Sequence, residues 1–213
     1  MKVGPGGRVL MCPPDYYGIY YEINPWMSVA KQADREKARQ QWQELYDLYR
    51  ALGVKVDLME PVEGLPDMVF TANAGVVSGD LFIATNFRYP ERQGEEKHFC
   101  SWFEAHDYRV ERLPKGCFFE GMGDVKLYRE LLFAGFYFRS DVRTHLMVGE
   151  KLEKLVVSLE LTDRRFYHLD TCFCPLDDAL VMYYPPALQD YSQEAIKHHT
   201  ETQLEIDEED ALA

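Results

Sequence analysis

The chain has 213 residues, 46% of them hydrophobic, and a formal net charge of −13. This is a globular composition, well away from the disordered range, and its negative field argues against nucleic acid or anionic membrane as a partner. No apolar run reaches the length of a membrane span, the N-terminus lacks the apolar core of a signal peptide, and the five cysteines are odd in number with no CxxC pair, so the expectation is a cytoplasmic protein without a disulfide framework.

In chain order, Arg8 to Cys12 reads as a short buried strand, stopped by Pro13 and Pro14. The Tyr-, Asn- and Pro-rich loop from Tyr16 to Trp26 is read as cover for the core edge, although a loop with several aromatics can also line a pocket. A helix is predicted up to Leu52, with Ser28 or Asp34 as its N-cap and Gly53 as a left-handed C-terminal residue. Ala38, Trp42, Leu45, Tyr49 and Leu52 form its apolar stripe. Val54 to Met59 reads as the next strand. Asp67 to Val77 and Leu81 to Thr85 then read as two strands joined at Ser78-Gly79-Asp80. A polar loop follows, then a helix from Glu95 to Ala105 with Phe99, Trp102 and Phe103 inward, and a strand from Tyr108 to Leu113.

The same order recurs. Gly123 to Tyr128 and Leu131 to Phe136 read as a hairpin, Arg139 to Arg143 as a polar loop, Val148 to Val157 as a helix, and Arg165 to Leu169 as a strand. It begins again with Thr171 to Pro175, Ala179 to Tyr184, a helix from Tyr191 to Glu201 and a strand from Thr202 to Glu205. The unit is strand, strand, helix, strand. Phe119-Glu120-Gly121-Met122-Gly123-Asp124, Phe70-Thr71-Ala72-Asn73-Ala74-Gly75 and Tyr167-His168-Leu169-Asp170-Thr171 stand at matched places in it, at intervals of roughly fifty residues. Such a unit cannot bury its apolar face alone. Two full units, a leading half unit and a trailing unit make an open array, which predicts either closure by a second copy, giving a homo-oligomer, or a fragment of a longer chain.

The recurring stretches carry the chemistry. Glu120, flanked by Phe119 and Gly121, is a partly desolvated carboxylate suited to general acid or base work, or to holding a cation. His168 and Asp170 alternate and so share a strand face, where a carboxylate can fix the imidazole tautomer. Asp67 and Asn73 offer hydrogen bonds to a planar polar group. Arg88, Arg92, Arg139 and Arg143 recur in equivalent loops, and arginine is the natural clamp for a carboxylate. Together they suggest a small zwitterion with a planar cationic end, such as a guanidino amino acid. Cys172 and Cys174 are read as structural thiols sharing a strand face; no matching Cys/His pair stands elsewhere, so no metal is predicted, and no cofactor is implied.

Pro66 through Gly75, Arg88 through Glu95, Phe119 through Asp124 and His168 through Thr171 resemble the guanidino-group-modifying superfamily, which includes dimethylarginine dimethylaminohydrolase, arginine deiminase and the amidinotransferases. The resemblance covers nearly the whole chain and implies one α/β domain over residues 1–213. Its fold would be the pentein propeller of ββαβ units around a central channel, here lacking its C-terminal part. It implies that Glu120 binds guanidinium nitrogens, that His168 is the catalytic acid/base, that Asp67, Asn73 and Asp170 hold the substrate, and that Arg88 and Arg139 contact its carboxylate. It also implies covalent catalysis by a thiolate, in a Gly-rich motif expected beyond residue 213. Asn73, where many members carry Asp, is similar to the arginine dihydrolases, which release ammonia and carbon dioxide and leave ornithine. An amidine C–N hydrolase is the leading expectation. An amidinotransferase on the same scaffold and a non-catalytic guanidino-binding protein are the alternatives.

Overall fold

A computed structural model describes residues 6–212. Strand β1 (Arg8–Met11), helix α1 (Arg35–Ala51) and strand β2 (Lys55–Leu58) come first, with β1 and β2 parallel in the register Arg8 to Lys55. Asp34 caps α1 by accepting the Lys37 N–H, and Gly53, at φ 74°, turns the chain out of it.

Three ββαβ units follow. The first is β3 (Gly75–Ser78), β4 (Leu81–Ala84), a short helix α2 (Pro90–Gln93), α3 (Glu96–Ala105) and β5 (Arg109–Glu111). The second is β6 (Val125–Tyr128), β7 (Leu131–Phe136), α4 (Arg143–Leu152) and β8 (Leu155–Glu160). The third is β9 (Phe173–Pro175), β10 (Leu180–Tyr183), α5 (Asp190–His199) and β11 (Thr202–Glu205), after which α6 (Glu208–Ala211) begins at an Asp207 cap. In each unit the middle strand pairs antiparallel with the strand before it and parallel with the strand after the helix. This is the repeat read from the sequence. Each middle strand is the most apolar of its unit, as burial on both faces requires; all four residues of β4 are buried. Aromatics pack within and between units: Phe82 stacks on Phe103 of its own unit at 3.7 Å, and Phe133 packs against Phe173 of the next at 4.9 Å.

Several boundaries differ from expectation. Asp67 to Ala74 is not strand: backbone bonds from Phe70 N–H to Asp67 O and from Asn73 N–H to Phe70 O close two 3-10 turns, Pro66–Val69 and Thr71–Ala74, before β3. Arg165 to Leu169 likewise forms turns, Arg164–Phe166 and then Leu169–Thr171, and the strand of that unit is β8, ten residues earlier. The helix expected over Val148 to Val157 starts at Arg143 and stops at Leu152, because Glu153 adopts the left-handed conformation at φ 54°. No glycine marks that stop, and the apolar run Leu152-Leu155-Val156 crosses it. Cys172 and Cys174 do not share a face; the first is buried and the second exposed.

The stripe of α1 is not buried. Ala38, Trp42, Leu45 and Tyr49 line an open groove of about 910 Å³, with β1 opposite and Phe82, Trp102 and Phe103 at its floor. The two kinds of apolar position should respond differently to truncation. Phe82→Ala, at 1% exposure, is expected to cost about 3–5 kcal/mol. Leu45→Ala, at 43% exposure, is expected to cost under about 1 kcal/mol. Urea unfolding midpoints of the two variants check this.

Candidate active site

The three recurring stretches form equivalent 3-10 turns, Thr71–Ala74, Gly121–Gly123 and Leu169–Thr171, each just ahead of the first strand of its unit. The turns pack on one another. The contact is close because glycine stands at two places. Gly121 has φ 58°, and a Cβ there would meet Gly75 N at 2.6 Å and Ala72 O at 2.8 Å. A Cβ on Gly123 would fall 2.3 Å from Asn73 Nδ2 and 3.0 Å from His168 Nδ1. Gly123→Ala is therefore expected to push Asn73 and His168 apart and to weaken binding of the site's ligand at least about tenfold, measured by calorimetric titration.

His168 is buried between two carboxylates. Its Nε2 lies 3.3 Å from Glu120 Oε2 and its Nδ1 lies 3.1 Å from Asp124 Oδ1. Burial alone would lower the imidazole pKa, but Asp124 and Glu120 overcome it and raise it to about 9, so the ring is an imidazolium at neutral pH. Glu120 is fully buried. Burial opposes its charge, but His168, Arg139 and Arg92 prevail and hold it down at about 2. Its Oε2 also accepts from Arg139 Nη1 at 3.0 Å, and its Oε1 accepts the Arg88 backbone N–H at 3.2 Å. Ser140 ties the pieces together: its hydroxyl accepts the Glu120 backbone N–H at 3.0 Å and donates to Asp124 Oδ2 at 2.6 Å.

A second buried group lies alongside. Arg92 donates from Nε and Nη2 to the two oxygens of Glu95, both at 2.9 Å, and from Nη1 to Asn73 Oδ1 at 3.1 Å. Because a guanidinium only donates, the Asn73 carbonyl must face it. The Asn73 amide NH2 is thereby turned away from Arg92. Asp67 is buried with its Oδ2 3.9 Å from Arg92 Nε, a loose pairing, and burial pushes its carboxyl above the usual range.

These groups bound a cavity of about 320 Å³. Asp67, Asn73, Arg92, Arg139, His168 and Asp170 are on its wall. Glu120 is not; it lies behind His168 and Arg139. Arg88 is not there either. Its guanidinium donates to Asp141 Oδ1 and to the Arg139 carbonyl, both at 3.0 Å, and only its backbone reaches the site. Asp170 does reach the wall, but from a turn and not from a shared strand face with His168. The loop after β1 supplies Tyr17, Ile23, Asn24 and Trp26 to the wall, so it lines the pocket in addition to covering the core edge. Arg139 is clasped between the rings of Tyr89 and Tyr167, at 4.7 and 4.6 Å.

A family model described as N,N dimethylarginine dimethylhydrolase, eukaryotic, matches residues 23–209. The chain belongs to the dimethylarginine dimethylaminohydrolase family. Among its relatives are the bifunctional arginine dihydrolase/ornithine cyclodeaminase AgrE of Nostoc sp., 47% identical over 96% of this chain and 30% of the relative, and the N(G),N(G)-dimethylarginine dimethylaminohydrolase of Mycobacterium tuberculosis, 44% identical over 89% of this chain and 62% of the relative. The chain thus spans under a third of the length of the bifunctional cyanobacterial relative. The substrate-bound N-terminal domain of ArgZ, a cyanobacterial arginine dihydrolase, superposes with a TM-score of 0.91 at 44% identity, covering 96% of this chain and 77% of the other. These matches place the chain in the guanidino-modifying superfamily, near the arginine dihydrolases, and its fold is the α/β pentein fold.

In this family member, the sequence reading missed Asp124, Ser140 and Glu95 as site residues. Asp124 closes the stretch that begins at Phe119, and only its position beside Glu120 pointed to it. Ser140 carried no signal, because its partners Asp124 and Glu120 lie 16 and 20 residues away, and Glu95, whose partner Arg92 is three residues before it, stood only as the last residue of the Arg88 to Glu95 stretch. Arg92 was recognised among the recurring arginines, yet Arg88 was preferred to it. No helix among the described residues is long and apolar enough to cross a membrane.

Proposed function

We propose that this chain forms the substrate-binding and acid/base part of an amidine C–N hydrolase acting on arginine or a related guanidino amino acid. One observation carries the reading: a single small cavity has the carboxylates Asp67 and Asp170, the cation Arg139 and the buried imidazolium of His168 on one wall. Asp67 and Asp170 would take the guanidinium, and Arg139, which has N–H groups beyond those given to Glu120 and Ile23, would take the carboxylate. Asn73 would offer its NH2 as a donor, suited to the oxygen of a ureido group formed from the guanidinium; a carboxylate in its place would only accept. That favours an arginine dihydrolase over a simple deiminase.

In this mechanism a thiolate adds to the amidine carbon, His168 gives its proton to the departing amine, and water then releases the thiol with a new C–O bond. None of the five cysteines of this sequence is on the cavity wall, and burial pushes the Cys12 thiol up to about 12. In this reading the thiolate comes from polypeptide outside the 213 residues. Calorimetric titration with L-arginine, asymmetric dimethylarginine, L-citrulline and L-lysine tests the proposal. Binding of a guanidino or ureido amino acid but not lysine is expected, weakened about tenfold or more by Asp67→Asn. Binding of none of them, or of lysine equally, overturns it.

A further inference from the structure

Asp124 makes its contacts at 1% exposure. A carboxylate buried that far carries a heavy desolvation cost unless a cation answers it. Among the described residues its one ion pair is with His168, at 3.1 Å. Its two oxygens otherwise accept from neutral donors: Oδ1 from the Leu169 backbone N–H at 3.1 Å, Oδ2 from the Ser140 hydroxyl. Those two bonds need an acceptor but not a charge. Nδ1 of His168, although close, makes no aligned hydrogen bond. The contact with Asp124 is therefore one of charge with charge, and it exists only while the imidazole is protonated.

We infer that Asp124 is a positioning residue for His168, holding the Nδ1 side of the ring by its charge while Glu120 holds the Nε2 side. The inference rests on the acid/base role given to His168 above. Two carboxylates on opposite ring edges fix the ring plane and keep the proton in place for the departing amine; with Glu120 alone, the ring is tethered at one point and can swing. Ser140, which accepts the Glu120 backbone N–H and donates to Asp124 Oδ2, links the carboxylate of Asp124 to the backbone that carries Glu120. The other ionisable groups around the ring are Tyr167, whose ring centroid lies 5.0 Å from it, Asp170 on its own turn, Arg139 through Glu120, and Lys126, which stands 3.9 Å from Asp170.

The test is an NMR titration of the ring nitrogens in ¹⁵N-histidine-labelled chain. In Asp124→Asn, which keeps an acceptor for Leu169 but removes the charge, the His168 midpoint is expected to fall by about one pH unit or more. In Ser140→Ala, which keeps the charge, it is expected to move by less than half that. His106, stacked on Trp102 at 3.8 Å in the first ββαβ unit, supplies ring signals that serve as the control for the fold. An unchanged His168 midpoint in Asp124→Asn, with the His106 signals undisturbed, overturns the inference. Should the variant not fold, the wild-type chain decides: the ¹⁵N shifts of the His168 ring must be those of a doubly protonated imidazolium at about pH 7, and a neutral ring there overturns the inference equally. Adding L-arginine to the same samples separates the two readings, because a wild-type chain that shows no response at His168 refutes the guanidino site, whereas the midpoint of the variant refutes only Asp124.

Discussion

Glu120→Ala is expected to be among the most damaging single substitutions in the chain, lowering stability by about 3–5 kcal/mol at pH 7. The effect follows from what Glu120 balances. Arg139 is 2% exposed and His168 is 4% exposed, both are cationic, and Glu120 is the carboxylate lying between them. Removing it leaves two buried positive charges facing each other and strands the Arg88 backbone N–H. Asp124 still faces His168 but does not reach Arg139. Glu120→Gln should fall between: it restores the acceptor for Arg88 while still omitting the charge. Urea unfolding at pH 7 ranks the three chains, and a Glu120→Ala chain within about 1 kcal/mol of wild type would show the pair to be energetically idle. Ligand titration of the Gln variant, where the fold survives, should show guanidino binding lost although Glu120 does not touch the cavity, because Arg139 is then free to leave its place between Tyr89 and Tyr167.

The repeat was legible in the sequence because it is written in hydrophobic period: two short apolar runs, an amphipathic run and another apolar run, four times over, with the first pass abbreviated. The convergence of Asn73, Glu120 and His168 followed from their equal places in that repeat. What was not legible was the local geometry that brings them together. Met68-Val69-Phe70 and Phe166-Tyr167 are as apolar as strands, and only the i to i+3 bonds of the folded chain make turns of them. Asp67 and Asp170 were therefore given strand faces that do not exist, although both reach the cavity. Arg88 and Arg92 are four residues apart on the same polar segment, and which of them points inward depends on Glu95, Phe87 and Asn73, three partners that no periodicity identifies. The stripe of α1 showed the opposite failure. Its period was correct, but amphipathicity reports a face able to be buried, and here Trp42 and Leu45 border an open groove.

Stability should also fall as pH rises from 6.5 to about 9, by on the order of 3 kcal/mol. The sign comes from His168. Its pKa is raised from 6.5 to about 9 in the folded chain, so the folded state binds its proton more tightly than the unfolded one. That contribution is fully present below pH 6.5 and is lost as pH climbs through the folded value. Glu120 acts in the opposite window: lowered from 4.5 to about 2, it supports the fold above pH 4.5 and ceases to do so toward pH 2. The two describe one ion pair, so their contributions are not added. The acid limb is blurred, since Asp67 and Glu95 are raised by burial and favour the folded state as pH drops, while the buried His145, lowered from 6.5, works against it. On the alkaline limb the buried Lys126, lowered from 10.5 by desolvation, works the other way and favours the fold as pH rises. Cys100, raised from 9.0, and Cys12, pushed up to about 12, begin to weigh on the fold only where free thiols ionise, near pH 9. Between pH 6.5 and 8.5 His168 dominates. Urea midpoints across that interval should decline in the wild-type chain and stay nearly level in His168→Gln, whose slope then measures the general repulsion of a chain carrying −13. Equal slopes in the two chains would mean that the imidazole between Glu120 and Asp124 is neutral at pH 7, and the proton assigned to the departing amine would have to come from elsewhere.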